Sequence, residues 1–177
     1  LGDFVDRDFS TTQVLWFIYK LEQEAKEKGG IVHYILGNHE LKNMQGNFED
    51  TSLKYYHVSS ILKKQQTDLY GTNSFLGKWM SSKNSIEKIN GILFAHGGIH
   101  PDLAKHKTNL DEVNQIIRNN YYKPYYPNPE QNLEQLLISS HKGIAWYRGY
   151  FKDDLTQEDV EKGLKQFNAK SIVVGHT

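Results

Sequence analysis

The sequence of 177 residues predicts an α/β fold, and three observations support that prediction. Short apolar runs alternate with segments whose apolar residues recur at helical spacing, which is typical of α/β domains. Side chains that could carry chemistry directly follow several of the apolar runs. The length suits one domain, and a hydrophobic fraction of 38% is sufficient for a core.

The composition excludes several classes of protein. Twenty-one basic residues balance 21 acidic ones, so the chain lacks the positive surplus of a dedicated nucleic-acid or anionic-membrane binder. Without cysteine it cannot be a disulfide scaffold, a zinc ribbon or a thiol enzyme. No run approaches the roughly 20 apolar residues of a membrane span. Both ends of the sequence resemble the interior of a domain, so we expect a fragment. Cytoplasmic and periplasmic locations both stay open.

The first predicted elements are a helix and a strand. Ser10 with Gln13 predicts a capping box that begins the helix, and the glycine pair at 29–30 ends it. Ile31–Leu36 is a short apolar run, which predicts a buried strand. The turn at 37–40 then begins another helix, and this order favours a parallel sheet.

A helical insertion and a hairpin follow. Residues 43–84 are polar with weaker periodicity, and we expect a helical insertion over the sheet edge, with breaks at Gly46 and at 70–73. Two strand-like runs then flank Asn90-Gly91, a strong hairpin signal.

Capping residues and one apolar run predict the elements of the last third. Three helices are expected: one capped by Thr108 and Asp111, a short one at Glu130–Ser139, and one capped by Thr156 and Asp159. Ser171–Val174 then predicts a strand.

Four side chains that could bind a metal lie just after apolar runs or at their glycine-marked ends. Because loops at the carboxyl ends of strands meet in one crevice, these side chains can converge. A carboxylate, an amide oxygen and two imidazoles suit Mn, Fe or Zn. Taken singly, each could instead form an acidic turn, a helix cap or a core histidine. The four residues are Asp3, Asn38, His96 and His176.

The motifs that contain these residues resemble those of calcineurin-like metallophosphoesterases, within them the phosphoprotein phosphatase (PPP) group. They are GDFVDR at 2–7, GNHE at 37–40, HGGI at 96–99 and VGHT at 174–177. WYRGY at 146–150 is most similar to the bacterial-type, Shewanella-like branch. The resemblance implies a four-layer α/β/β/α sandwich, with residues 1–177 forming a partial domain that lacks its first strand and its C-terminal portion.

The resemblance also implies a pair of divalent metal ions. Asp3 would bridge them, and Asn38, His96 and His176 would complete the ligands of the second ion. The first ion's own ligands belong to an upstream Asp-x-His-Gly motif that this chain does not contain. The chain alone is therefore expected to be inactive.

Four further residues take catalytic or phosphate-binding roles by the same resemblance. His39 would act as general acid, oriented and kept protonated by Asp6, while Arg7 and Arg148 would grip the phosphate. These residue types suit that chemistry, because an arginine fork matches phosphate oxygens and a carboxylate raises the pKa of a histidine.

The implied function is metal-dependent hydrolysis of phosphate monoesters by direct attack of a metal-bridging hydroxide. The substrate would be a phosphorylated protein, on Ser/Thr or Tyr, or a small phosphomonoester, with no nucleic-acid partner. The alternatives are a phosphodiesterase or dinucleoside polyphosphate hydrolase of the same superfamily, or an inactive metal-binding scaffold.

Two departures from the family pattern raise questions that the structure can address. Asp8 stands where the family usually has glycine in a turn, so we expect backbone strain there and a weaker phosphate site beside Arg7. His100 stands where serine is usual, and it could touch substrate or cap the turn before Pro101. The tyrosines at 121, 122, 125 and 126 could line a substrate groove or pack a loop against the domain.

Overall fold

The computed structural model describes residues 1–127, 130–152 and 155–177. These residues form an α/β structure with one small sheet, which confirms the predicted fold class. The α-helices are α1 (Thr11–Glu27), α2 (Asn38–Met44), α3 (Leu53–Leu62), α4 (Gln66–Tyr70), α5 (Phe75–Ser81), α6 (Leu110–Arg118), α7 (Leu133–Ile138) and α8 (Gln157–Gln166). The strands are β1 (Ile86–Ile89), β2 (Ile92–Ala95) and β3 (Ser171–Val174), and 3-10 helices span Pro101–Lys105 and Gly149–Phe151.

The sheet has the order β1-β2-β3 and is mixed, with one antiparallel and one parallel pair of strands. β1 and β2 form the predicted antiparallel hairpin, because Asn90 and Gly91 both adopt positive φ angles, 52° and 82°, that suit a tight turn. β3 is parallel to β2, with Ala95 opposite Val174. The residues after these two strands therefore leave the sheet side by side.

The predicted strand at Ile31–Leu36 is wrong. Within the described residues, this segment pairs only at one isolated bridge, between Ile35 and Asn84, where the Leu36 amide also donates to the Asn84 carbonyl at 3.0 Å. Ile31 is 76% exposed. A β-strand needs a neighbouring strand to satisfy its backbone hydrogen bonds along its length, and a single bridge does not provide one.

Two predicted caps are also wrong. Ser10 occupies the cap position of α1, but its side chain makes no cap hydrogen bond, so the capping box with Gln13 does not form. α6 is capped by Asn109, whose side chain accepts a hydrogen bond from the Glu112 amide at 2.9 Å. Asparagine is among the best capping residues, so it takes the role predicted for Thr108 and Asp111.

The cap of α8 and the helical nature of the long polar segment agree with prediction. The Thr156 hydroxyl accepts from the Asp159 amide at 3.2 Å, and the Asp159 carboxylate accepts from the Thr156 amide at 3.2 Å. Residues 43–84 contain α3, α4 and α5, with turns at Gly46 and at 70–73. That this segment is an insertion stays a prediction.

The core lies against one face of the sheet, where Leu93 and Ala95 of β2 and Ile86 of β1 are fully buried. α6 packs against β1, where the Asn114 side chain donates to the Ile86 carbonyl at 2.8 Å and accepts from the Ser85 amide at 3.0 Å. Met80 of α5 is fully buried in the same hydrophobic cluster. In the part of the chain that the structure describes, no helix is long and apolar enough to cross a membrane.

Candidate metal centre and phosphate site

The first motif is held against the beginning of α2 by Glu40. This fully buried carboxylate accepts hydrogen bonds from the Asp3 and Gly37 amides, both at 2.8 Å, and from the Phe4 amide at 2.7 Å. A Cβ atom on Gly2 would lie 2.1 Å from the Gly37 nitrogen, and the φ angle of Gly2 is +79°. The close approach thus requires glycine at position 2.

Four predicted ligands meet around one ring nitrogen. His96 Nε2 lies 3.0 Å from Asp3 Oδ2, 3.1 Å from Asn38 Oδ1 and 3.0 Å from His176 Nδ1. Asn38 begins α2, while the two histidines follow β2 and β3, whose parallel pairing brings them together. The structure therefore brings all four side chains to one point.

The donor set of this cluster fits a metal ion. His96 Nδ1 contacts the Leu1 carbonyl, which can only accept, so the ring proton of a neutral His96 lies on Nδ1. Nε2 then presents a lone pair to a carboxylate oxygen, an amide oxygen and a second imidazole. One proton can bridge only one pair among these four atoms, whereas a divalent cation can accept lone pairs from all of them.

The charge states of the cluster suit the same role. Burial, with the nearby charges of Arg148 and His96, lowers the pKa of His176 to about 4, so this imidazole is neutral at pH 7 and can act as a ligand. Burial acts to raise the pKa of Asp3, but the contacts with His96 and His39 outweigh it and hold the pKa below its usual value.

A second group of side chains surrounds His39. Its Nδ1 lies 2.8 Å from Asp6 Oδ2, and both groups are buried. Asn43 Nδ2 donates to both oxygens of Asp6 at 2.9 Å, and the Thr51 hydroxyl donates at 3.0 Å. The hydrogen bond with Asp6 raises the pKa of His39 and outweighs burial, which lowers it.

Arg7 contacts the second ring nitrogen of His39, Nε2. Its Nη2 lies 3.1 Å from His39 Nε2, and the rest of the side chain is largely exposed. The backbone bends sharply at Asp6 and Arg7, whose φ angles are 71° and 58°, and Asp8 does not have a positive φ. The strained backbone therefore lies at Asp6 and Arg7, and the strain predicted at Asp8 is not observed.

Arg148 lies on a loop that packs against the HGG motif. The Gly97 and Gly98 amides both donate to the Ile144 carbonyl, at 2.9 and 3.0 Å, and this fixes the loop next to the end of β2. The ring of Trp146 packs edge-on against His176 with centroids 6.0 Å apart. The Arg148 side chain is exposed on the surface beside them.

The two open questions on His100 and the tyrosines have structural answers. His100 Nδ1 accepts from the Asp102 amide at 3.0 Å, so it caps the turn before Pro101. Tyr121 and Tyr122 pack inward, and their hydroxyls donate to the carbonyls of residues 83 and 77, both at 2.9 Å. Tyr125 instead lines a cavity together with Trp146.

Sequence reasoning missed four residues that support these groups. Glu40 could have been found, because it stands three residues after Gly37 in the position from which a glutamate caps its own helix. Asn43 lies one helical turn beyond His39, which is a weaker signal. The other two come from a loop that carries no motif. The four are Glu40, Asn43, Asp50 and Thr51.

Comparisons with known proteins agree on one family. A family model described as calcineurin-like phosphoesterase matches residues 1–177. An uncharacterized protein of Acanthamoeba polyphaga mimivirus is 29% identical over 91% of this chain and 75% of its own length. Shewanella-like protein phosphatase 1 of Plasmodium berghei is 28% identical over 99% of this chain and 49% of its own length.

Solved structures of protein tyrosine phosphatases superpose closely on this chain. A cold-active protein tyrosine phosphatase superposes with a TM-score of 0.92 at 35% identity, over 99% of this chain and 52% of its own. Another structure, of the cold-active protein-tyrosine phosphatase of a psychrophilic Shewanella species, gives a TM-score of 0.91 at 36% identity, over 99% of this chain. The chain spans about half the length of these phosphatases.

Proposed function

Because the chain belongs to the calcineurin-like phosphoesterase family, we propose that it forms part of a phosphatase that hydrolyses phosphate monoesters on proteins. The observation that supports this most strongly is the convergence of Asp3, Asn38 and His176 on one nitrogen of His96. The named phosphatases among its relatives favour a phosphorylated protein as the substrate class.

The family depends on a pair of metal ions, and this chain offers candidate ligands for them. We assign Asp3, Asn38, His96 and His176 to the metal-binding role. When bound, a divalent ion such as Mn, Fe or Zn lowers the pKa of a coordinated water and offsets negative charge. Neutral amide and imidazole ligands leave the ion more Lewis-acidic than a set of carboxylates would.

His39 is the proposed general acid. Asp6 contacts Nδ1 and thereby leaves Nε2 to face the leaving oxygen. Asn43 and Thr51 fix Asp6 through both carboxylate oxygens, so the ring has one defined orientation. A positioned acid of this kind contributes roughly 10²–10⁴-fold to a rate.

Arg7 and Arg148 are the proposed phosphate-binding groups. Arg7 has a largely exposed side chain beside His39 Nε2, and the exposed side chain of Arg148 lies near His176. Because a guanidinium binds phosphate oxygens through two parallel hydrogen bonds, the pair would hold the phosphate between acid and metal.

Hydrolysis of p-nitrophenyl phosphate by the full-length protein tests this function, with and without Mn²⁺ and with Asp3→Asn as the matched variant. We expect turnover that depends on metal and falls at least roughly 100-fold in the variant, since Asp3 supplies a charged ligand. A folded full-length protein with no turnover in Mn²⁺, Fe²⁺ or Zn²⁺ would contradict the monoesterase. Turnover of bis-p-nitrophenyl phosphate alone would indicate a diesterase.

A further inference from the structure

A small basic pocket opens beside the candidate metal centre. Its volume is about 150 Å³, and its lining includes the side chains of His141, Arg148 and Lys152, with Ser140 and Trp146. Among the residues that the structure describes, the lining of this basic pocket contains no carboxylate. The residues that form it therefore favour an anion.

The three basic side chains of the pocket have no carboxylate partner among the described residues. Within residues 1–127, 130–152 and 155–177, none of them takes part in an ion pair or a side-chain hydrogen bond. Lys142, which is their neighbour in sequence, behaves differently, because its Nζ lies 2.8 Å from Asp102 and 3.0 Å from Glu130. Among the described residues, Lys142 thus has carboxylate partners, whereas the side chains of Arg148 and Lys152 are available to a ligand.

The basic pocket adjoins the phosphate site. Trp146 forms part of its wall and packs edge-on against His176, with ring centroids 6.0 Å apart. Arg148, two residues after Trp146 in the same loop, also lines the pocket. An anion in the pocket would therefore lie next to a phosphate held at the metal centre.

The size of the pocket limits what it can hold. At about 150 Å³, the pocket has room for a carboxylate or a phosphate group. The pocket therefore suits a second, smaller anionic group.

We propose that the basic pocket is a substrate subsite, in which His141 and Lys152 bind a second anionic group next to the phosphorylated residue of the substrate. The proposal rests on the proposed function and adds the substrate class, namely phosphoproteins with an acidic side chain or a second phosphate near the scissile one. Arg148 would contact the scissile phosphate, and His141 and Lys152 would bind the acidic group beside it.

The test compares three phosphotyrosine peptides with the full-length enzyme, monitoring the tyrosine absorbance that appears on dephosphorylation. Their flanking residues are alanine, glutamate or phosphoserine, which separates a carboxylate from a phosphate as the preferred group. The variants are Lys152→Ala and His141→Ala. Lys28→Ala, an exposed residue at the C-terminal end of α1, is the matched control for charge.

We expect at least one acidic peptide to exceed the neutral one in kcat/KM by roughly three- to tenfold, the range of one or two exposed ion pairs. Lys152→Ala and His141→Ala should lower that ratio, mainly through KM, while hydrolysis of p-nitrophenyl phosphate stays unchanged. High salt should also lower the ratio. Lys28→Ala should leave it as it is.

Equal rates on all three peptides would overturn the subsite, as would a preference that persists in both pocket variants. The failure of the phosphatase itself is distinguishable, because p-nitrophenyl phosphate would then not be hydrolysed. In that case, fluorescence anisotropy with non-hydrolysable phosphonate peptides tests the subsite by binding alone. The subsite requires that the acidic peptide bind more tightly than the neutral one. Equal binding of the neutral peptide would overturn it.

Discussion

His39 has partners of opposite charge on its two ring nitrogens. Nδ1 lies 2.8 Å from Asp6, and Nε2 lies 3.1 Å from Arg7. Asp6 is itself held by three hydrogen bonds from Asn43 and Thr51, so the orientation of the imidazole depends on residues that never face the substrate. The proposed acid can therefore be tested separately from binding.

Replacement of His39 by glutamine should affect substrates according to their leaving group. We expect kcat for phenyl phosphate to fall roughly 10²–10⁴-fold, because phenolate needs a proton as it leaves. The loss on p-nitrophenyl phosphate should be much smaller, since nitrophenolate leaves readily as an anion. Equal losses on the two substrates would show that His39 is not the general acid.

Glu40→Gln should weaken the whole first motif. The carboxylate accepts from the Asp3, Phe4 and Gly37 amides, and glutamine offers one oxygen fewer, which leaves a buried N–H without a partner. We expect the free energy of unfolding to fall by about 1–3 kcal/mol in urea denaturation. Glu27→Gln at the exposed end of α1 serves as the control, and an equal effect there would refute the explanation.

At the scale of elements, local signals predicted some features and not others. The Asn90-Gly91 turn and the Thr156 cap depend on neighbouring residues alone, so the sequence was sufficient for both. The run at Ile31–Leu36 failed because a strand depends on its partner, and here the described residues pair it only at Ile35. Among the site residues, Asp50 and Thr51 were missed for the same reason, since their role depends on long-range contacts.

The 3-10 helix at Pro101–Lys105 is tied to the loop around Lys142 through Asp102. The Lys142 ammonium lies 2.8 Å from Asp102, and Lys105 also contacts this carboxylate. The hydrogen bonds from Lys105 and Lys142 hold the pKa of Asp102 well below its usual value. Asp102 therefore links the segment after HGG to the loop that carries Arg148.

Asp102→Asn should lower the Tm of the protein near pH 7. Since the folded-state pKa is depressed, the contribution of Asp102 is fully present above its unfolded pKa of about 3.9 and declines below it. The Tm difference between the two proteins should thus be constant between pH 7 and 5 and shrink as the pH falls towards 3. A difference that does not change with pH would mean that the lost charge is not its cause.

For the whole molecule, the candidate metal centre depends on residues from the beginning, middle and end of the chain. Asp3, His96 and His176 are each separated by at least 80 residues, and the sheet brings the two histidines together. A ligand that binds this arrangement binds only the folded state. Metal binding should therefore be visible in global stability even where activity is absent.

Mn²⁺ should raise the Tm of the protein. At about 100 times the dissociation constant, binding stabilises the folded state by about 2.7 kcal/mol, or roughly 5–10 °C at this size. Differential scanning fluorimetry with a metal titration measures this, and Asp3→Asn should remove most of the shift. A Tm that does not respond to Mn²⁺, Fe²⁺ or Zn²⁺ would contradict the assignment of the four ligands.

The contact between Arg7 and His39 has a consequence for timing. A guanidinium can only donate, so while Arg7 points at Nε2 that nitrogen must accept and cannot hold the proton that the leaving group needs. A phosphate that draws Arg7 to itself vacates Nε2 and lets it take up a proton beside Asp6. Binding of the substrate would thereby allow Nε2 of His39 to become protonated, and without substrate this nitrogen would carry no proton to donate.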